Sequence, residues 1–384
     1  MGSQRRKFIK RLGAGFAATT IPIELMSNTF NSTTQPKYVK ATSDYKPSAQ
    51  KYSIRFSVIG LNHGHIYGQV EALLEGGGKL VSVYAREPEL LSSFIKRYPD
   101  VKVVSDEKEI LEDNSIQMIA SASIPSERAP LGIRAMQNGK DFMADKPGIT
   151  SLEQFAQVKE VQKETNRIYS IMYSERLRNR ATVKAGELVK AGAIGKVVQT
   201  IGMGPHRMRA DSRPDWFFKL DKFGGILTDI GSHQADQFLF FTGSTEAEVV
   251  TSQVGNFNNQ QYPGFEDFGD MMMRGNKGTG YIRIDWFTPD GLNTWGDGRL
   301  TILGTEGYIE LRKYTDIGGR EGGNHLFLVD KKETKYYDCS EVYMPYGEQL
   351  VNDVVNRTET AMTQAHCFLA TELALKGQVN ATML

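Results

Sequence analysis

Ile54-Arg55-Phe56-Ser57-Val58-Ile59-Gly60-Leu61-Asn62-His63-Gly64-His65-Ile66-Tyr67-Gly68 reads as a strand, a glycine turn and the start of a helix. The six residues before Gly60 pass from alternating to apolar, and a helical pattern continues to Leu74. A glycine-rich turn between strand and helix presents backbone N–H groups to a pyrophosphate. The turn departs from Gly-x-Gly-x-x-Gly, because Asn62 and His65 stand where the second and third glycines would be, with Gly64 beside them. Taken alone, the stretch reads equally as an ordinary strand–helix turn.

The alternation repeats along the next hundred residues or so. Leu80-Val81-Ser82-Val83-Tyr84-Ala85-Arg86-Glu87 is a second strand and its exit. Val101-Lys102-Val103-Val104 leads to Asp106 as a helix cap. Ile116-Gln117-Met118-Ile119-Ala120-Ser121-Ala122 is a buried strand that ends at Ser123-Ile124-Pro125-Ser126. The segment 151–165 carries Leu152, Phe155, Val158 and Val161 at helical spacing, and 168–172 is the sixth strand. Strands alternating with helices predict a doubly wound parallel α/β sheet.

Two further segments carry chemistry. In Gly139-Lys140-Asp141-Phe142-Met143-Ala144-Asp145-Lys146-Pro147, a short strand ends at Asp-Lys-Pro. Ligands of open α/β sheets bind at the C-terminal ends of strands, so Lys146 stands at the lip, where an ammonium can stabilise an oxyanion. In Gly224-Gly225-Ile226-Leu227-Thr228-Asp229-Ile230-Gly231-Ser232-His233, a helix would place Asp229 and His233 on one face. A carboxylate beside an imidazole is how a proton-transfer pair is built. A helix start with a packed histidine fits the same letters.

Together these segments resemble the Gfo/Idh/MocA family of NAD(P)-dependent oxidoreductases. Its marks are Glu-Lys-Pro after the fifth Rossmann strand, here Asp145-Lys146-Pro147, and a Gly-Gly-rich Asp-x-x-x-His segment, here Gly224 to His233. Ile194-Gly195-Lys196-Val197 is similar to its entry into the second domain, and Ile302-Leu303-Gly304-Thr305-Glu306-Gly307-Tyr308 to its late hairpin. The resemblance runs from about Lys51 to the C-terminus. It implies that Lys146 and His233 act on a sugar or polyol hydroxyl next to the nicotinamide, with Asp229 as the acid supporting His233. Gly60, Leu61, Asn62, His63 and Gly64 would form the dinucleotide turn, with Ala85, Arg86, Ser121 and Lys146 as further cofactor contacts. Where the family has Asp, this chain has Ala85 followed by Arg86, which favours the 2′-phosphate of NADP; Glu87, close behind, keeps NAD open. A histidine of the turn after the 116–122 strand is missing, because that segment reads Ser126-Glu127-Arg128-Ala129.

From about Tyr173 one more helix runs to Gly192, and then strands dominate: 197–203, 247–254, 268–274, 279–287, 299–303, 308–312 and 325–329. The expectation is a mainly antiparallel open sheet, and the resemblance implies one face over the active site and the other free for a dimer or tetramer. The domain plan is 1–50 signal and disordered linker, 51–173 dinucleotide domain, and 174–384 substrate and oligomerisation domain. A closing helix over about 360–375 carries His366, read as structural. The loop containing His206, Arg209 and Trp216, and Glu175 at the sixth strand's exit, are candidate substrate contacts; a packed inter-domain loop reads equally well.

Composition bounds the partners. A net charge of +1 implies no polyanionic partner, and no basic stripe with interleaved aromatics suggests nucleic acid. No Cys/His cluster has zinc spacing, so no metal is expected, and Cys339 and Cys367 define no disulfide framework. Arg5-Arg6-Lys7-Phe8-Ile9-Lys10 resembles a twin-arginine export motif, with an apolar run over 12–25 behind it that is too short for a stable membrane span. The Ser/Thr-rich segment 27–50 reads as a disordered linker. Export to the periplasm, which holds no dinucleotide pool, predicts a tightly held cofactor reduced and reoxidised in place. Three functions remain open: a sugar, polyol or glycoside dehydrogenase; a redox-neutral, NAD-dependent glycoside-cleaving enzyme; and a non-catalytic sugar- or nucleotide-binding protein. The presence of both Lys146 and His233 favours the enzymes.

Overall fold

The computed structural model describes residues 35–384; the twin-arginine stretch and the apolar run over 12–25 lie outside the described residues. The first strand, β1 (Lys37–Lys40), belongs to the C-terminal sheet. Then come β2 (Arg55–Ile59), α1 (Ile66–Glu75), β3 (Lys79–Tyr84), α2 (Pro88–Arg97), β4 (Lys102–Val103) and α3 (Lys108–Leu111). The unit closes with β5 (Met118–Ser121), α4 (Pro125–Gln137), β6 (Asp141–Ala144), α5 (Leu152–Thr165) and β7 (Tyr169–Ile171). These strands form a six-stranded parallel sheet in the order β4-β3-β2-β5-β6-β7. Its central strands β5 and β6 are buried along their whole length, which is why they read as unbroken apolar runs. The order reverses between β2 and β5, so the crevice opens beyond their C-terminal ends. Ser151 caps α5 by accepting from the Gln154 N–H, and Phe155, Val158 and Val161 bury that helix's inner stripe.

The second half begins with α6 (Ser174–Leu177), α7 (Arg180–Lys190) and β8 (Val197–Pro205), then α8 (Leu220–Phe223), α9 (Ile226–Asp229) and α10 (Gly231–Thr242). Strands β9 (Ala247–Gly255), β10 (Phe268–Gly275), β11 (Thr279–Asp285), β12 (Arg299–Gly304), β13 (Gly307–Arg312), β14 (His325–Asp330) and β15 (Thr334–Asp338) come next. The chain ends with α11 (Tyr346–Asn356), α12 (Gln364–Val379) and β16 (Thr382–Met383). The ten-stranded sheet runs β1-β15-β14-β13-β12-β8-β11-β10-β9-β16 and is mainly antiparallel, with β8–β11 and β16–β9 parallel. Met271, Met273, Ile282, Ile284, Leu300 and Ile302 point inward at period two and are buried. Helices α10 and α12 cover part of that inner face. Each such side chain contributes roughly 1.5–3 kcal/mol on burial.

The architecture is thus the expected parallel sheet with a mainly antiparallel open sheet after it. The linker is a correction: the part expected to be disordered up to residue 50 includes β1, and Ala41 is buried, its N–H bonded to the Asp338 carbonyl at 2.9 Å. Tyr38 packs its ring on Tyr336, so the open edge of β15 supplies the partners that composition alone did not show. The cores are also less separate than a cut at residue 173 suggests. Tyr346 bonds Ser170 (3.0 Å), Arg357 pairs with Asp141 on β6 (2.5 Å), and Tyr173 bonds Thr371 on α12 (2.9 Å). Helices α11 and α12 therefore return to seal the end of the parallel sheet beyond β7. Among the described residues no helix is long and apolar enough to cross a membrane. Cys339 and Cys367 are free and buried.

Candidate active site

Two cavities open at the C-terminal edge of the parallel sheet. The first is a groove lined by Gly60, Asn62, Tyr84, Ala85, Arg86, Glu87 and Ser123, with helix α4 residues along its far wall. Gly60 sits at φ +86°, and a Cβ there would lie 2.5 Å from the Cβ of Ser123. Both facts demand glycine: the backbone is left-handed, and β2's exit packs against β5's exit with no room for a side chain. This is the cradle a dinucleotide needs, and the residues present fit one. Asn62, at the second glycine position, donates to Glu87 at 2.8 Å and so occupies the acid nearest the ribose end of the groove. Arg86 is mostly exposed and only loosely held, 3.4 Å from Glu127.

The second cavity is deeper and lies beside the first. Its walls bring together His63, His65, Lys146, Glu175, His206, Arg213, Asp229 and His233 with the aromatic rings of Trp216, Phe217, Trp286, Trp295 and Tyr314. His63, His65, His206 and His233 are four of the six histidines in the chain. Lys146 comes directly after β6 and is buried; its Nζ donates to Asp229 Oδ1 at 2.7 Å. Asp229 is delivered by the turn Gly224–Gly225, both at positive φ (+88° and +92°). A Cβ on Gly225 would collide with the Gln378 amide, whose oxygen accepts the Leu227 N–H at 3.0 Å and fixes the start of α9.

His233 lies on α10 with its ring edge toward Tyr173, and its Nδ1 is buried without a partner. Burial pushes its pKa down to about 3 against the opposing pull of Glu175, so the ring is neutral and can accept a proton. His206 is lowered to about 4 by burial and by Lys146; its Nδ1 lies 3.0 Å from the Gly204 carbonyl. Burial works to raise the pKa of Asp229, but the charge and hydrogen bond of Lys146 outweigh it and hold the carboxyl below its usual range. Glu175 behaves alike, with Lys313 2.6 Å away. Its Oε2 is taken by Lys313 and Gln234, while Oε1 is buried without a partner. The cavity therefore combines cationic donors, Lys146 and Arg213 among them, with neutral imidazoles, a carboxylate and a ring-lined wall, the usual anatomy of a small polar-ligand site.

The structure brings Lys146, Asp229, His233, Glu175, His206 and Trp216 into one cavity, and Gly60, Asn62, Ala85 and Arg86 into the groove. Several placements differ from expectation. Asp229 bonds Lys146 rather than supporting His233. His63, placed in the dinucleotide turn by sequence, faces the deeper cavity and Asp145. Leu61 turns into the core, Ser121 is buried against Ser123, and Gly64 is exposed, so their side chains line neither cavity. Arg209 also lines neither; its left-handed backbone (φ +48°) opens a 3-10 turn, and Arg213, just beyond that turn, takes the place instead. Arg213 lies over the rings of Phe217 (4.5 Å) and Trp286 (5.0 Å). Sequence reasoning also missed Arg128, which stands in the turn where a histidine was sought. It is fully buried, donates to the Ser123, Lys146 and Pro147 carbonyls, and approaches Asp145 at 3.2 Å. The one available signal was an arginine in an otherwise small-residue strand exit.

Comparison with known proteins agrees with this fold. Residues 54–173 match a model of the oxidoreductase family with an NAD-binding Rossmann fold, and 182–310 match the GFO/IDH/MocA C-terminal domain. A solved structure described as a "putative oxidoreductase" from Erwinia carotovora atroseptica is similar at TM-score 0.84 and 46% identity, over 86% of this chain and 99% of that one. Scyllo-inositol 2-dehydrogenase (NAD(+)) of Bacillus subtilis is 26% identical over 266 residues, 67% of this chain and 74% of that protein. Levoglucosan dehydrogenase of Pseudarthrobacter phenanthrenivorans is 26% identical over 163 residues, 42% of each chain.

Proposed function

The chain belongs to the Gfo/Idh/MocA family of oxidoreductases, and from that premise we propose that it oxidises a hydroxyl-bearing carbon of a sugar, polyol or glycoside. The observation that carries this is Lys146 Nζ, pinned at 2.7 Å by Asp229, in a cavity also lined by His233 and Glu175, whose Nδ1 and Oε1 have no partner within the protein. A substrate with several hydroxyls satisfies all three. A nicotinamide cofactor held in the groove of Gly60, Asn62, Arg86 and Ser123 would supply the hydride acceptor. Lys146 donates to the reacting oxygen as its charge develops. His233 takes the hydroxyl proton, so that C–H and O–H are lost together and a carbonyl is left. Asp229 positions Lys146, Glu175 receives a neighbouring hydroxyl, and the Trp216, Trp286 and Trp295 rings offer a flat wall to the sugar's C–H face.

NADP is the proposed cofactor, because Asn62 already occupies Glu87 and Arg86 is free to turn to a 2′-phosphate. The proposal extends to export with the cofactor resident, resting on Arg5-Arg6-Lys7-Phe8. It extends also to self-association through the outer sheet face, where Ile201, Met272, Leu303 and Tyr308 remain exposed. The test is to denature protein purified without added cofactor, identify any released dinucleotide by mass, and repeat after incubation with a sugar panel. A dinucleotide whose redox state changes with one sugar supports the reading. Release of nitrophenol from a nitrophenyl glycoside with no net redox change would replace it with redox-neutral cleavage. Failure to retain or bind any dinucleotide would replace it with a binding role.

A further inference from the structure

We propose that His63, His65 and Asp145 form a site for a first-row divalent metal ion that opens into the deeper cavity beside Lys146. The two histidines leave the end of β2 as His-x-His, and Asp145 leaves the end of β6; β5 lies between these strands. The sequence showed no metal spacing because the third ligand comes from another strand.

The geometry is that of a ligand set. His65 Nδ1 lies 2.9 Å from Asp145 Oδ1, and His63 Nδ1 lies 3.0 Å from Asp145 Oδ2. The three ligand atoms fall within 4.8 Å of one another, and the two rings meet edge to face at 4.1 Å. A hydrogen bond joins His65 Nδ1 to Asp145 Oδ1 at 2.9 Å, which accounts for one of the two contacts. His63 Nδ1 and Asp145 Oδ2 are buried atoms without a hydrogen-bond partner, although they are 3.0 Å apart, so the ring nitrogen is not aimed along the line to the oxygen. Arg128 pairs with that oxygen at 3.2 Å, whereas the buried His63 nitrogen is left unpaired at a cost, and an ion at its lone pair satisfies it.

The surroundings support the set. Asp145 is fully buried, and its Oδ1 accepts the Lys146 N–H at 2.8 Å while Arg128 stands 3.2 Å from Oδ2. These outer contacts fix the carboxylate, as second-shell partners of metal ligands do. Both imidazoles line the cavity that holds Lys146. Two imidazoles and one carboxylate favour zinc, cobalt, nickel, iron or manganese over magnesium or calcium. The site also gives a use to the departure from the glycine pattern, since His65 stands at its third position.

The test uses untagged full-length protein stripped with a chelator and titrated with Co²⁺. One equivalent should bind, with a visible ligand-field spectrum of nitrogen and oxygen coordination. In His65→Gln the affinity should fall at least about tenfold, with an unchanged circular dichroism spectrum; His366→Gln, on the remote closing helix, should bind as wild type. Asp145→Asn should abolish the spectrum, and if that variant does not fold, His65→Gln decides. Absence of a saturable cobalt spectrum in the wild type, or wild-type binding by His65→Gln, overturns the proposal. None of these readouts depends on turnover, so they stand apart from the dehydrogenase reading.

Discussion

Replacing Lys146 by Met removes one partner of a buried pair and leaves its carboxylate behind. Lys146 Nζ and Asp229 Oδ1 are 2.7 Å apart, and their side chains are 5% and 12% exposed, so solvent screens the pair little. Removing one side of such a pair costs roughly 3–5 kcal/mol. At about 2 °C per kcal/mol for a chain of this size, the melting temperature should fall by about 6–10 °C. Asp229 is held below its usual pKa range, since Lys146 outweighs burial. The pair's contribution is therefore present above the unfolded value near 3.9 and is lost as pH falls through the folded value. The gap between wild type and variant should accordingly close below about pH 4. The double variant Lys146→Met with Asp229→Asn should recover most of the stability, because the stranded charge is gone. Turnover should behave differently: loss of a donor to the developing oxyanion lowers kcat by about 10²–10³, and the double variant should stay as slow as the single. Calorimetry across pH and single-turnover kinetics with bound cofactor measure both. Full stability in Lys146→Met refutes the buried pair; restored turnover in the double variant refutes the role of Lys146.

Acid should weaken the fold well above the carboxylate range. His206 and His233 are lowered to about 4 and about 3, chiefly by burial, with Lys146 adding to both and Glu175 opposing; His65 and His206 also face His233. Their contribution is complete above the unfolded value near 6.5 and drains as pH falls toward those values, at about 1.4 kcal/mol per pH unit for each ring. His63 is likewise lowered to about 4 by burial, so three rings carry the slope; urea titrations between pH 7 and 4.5 should show it, and His206→Phe should remove about a third of it, whereas an unchanged slope would mean the ring is not held neutral. Arg86→Ala should weaken NADP about 10–100-fold, the worth of a charge-assisted bond, and leave NAD alone; equal losses for both by fluorescence titration count against the 2′-phosphate contact. Ile201→Asp places a charge in the exposed apolar row of the outer sheet face, and light scattering should show a smaller assembly than wild type; an unchanged mass would move the interface elsewhere.

The parts of the fold legible in the sequence are those whose pattern is set locally. Strands β2, β5 and β6 announce themselves as apolar runs because the parallel sheet buries both their faces. The β9–β14 strands alternate because one face is covered. Strands β1, β15 and β16 were not legible: they are short elements at the two ends of the sheet, β1 and β16 on its edges and β15 next to β1, stabilised by what lies beside them, as Ala41 is by Asp338. Helix α11 was missed although Leu350, Val351 and Val354 form an apolar stripe. Within the site, Lys146, Asp229 and His233 were found because each sits at the end of a recognisable element. Arg128 and Asp145 were not assembled, because their meeting depends on the register of β5 and β6. The substrate loop shows the same limit: Arg209 and Arg213 look alike in sequence, and only the backbone turn at Arg209 decides which one reaches the cavity.

The partner of Asp229 shows how tertiary chemistry overrides helical spacing. Four-residue spacing favours a contact with His233 on one helix face. The backbone stays helical through Ile230 (φ −82°, ψ −40°), where α9 meets α10, but the fold brings an ammonium from the parallel sheet into reach of Asp229. A buried carboxylate gains more from a charged donor than from a neutral imidazole. Once Lys146 is present the competition is settled, and His233, which lines the cavity, is left with a buried nitrogen without a partner. Asp229 thereby spends its charge on holding the donor, which leaves the neutral ring free to act as an acceptor. The glycine pair before α9 is what permits this, since it lets the helix start close enough to β6's exit for the two side chains to meet.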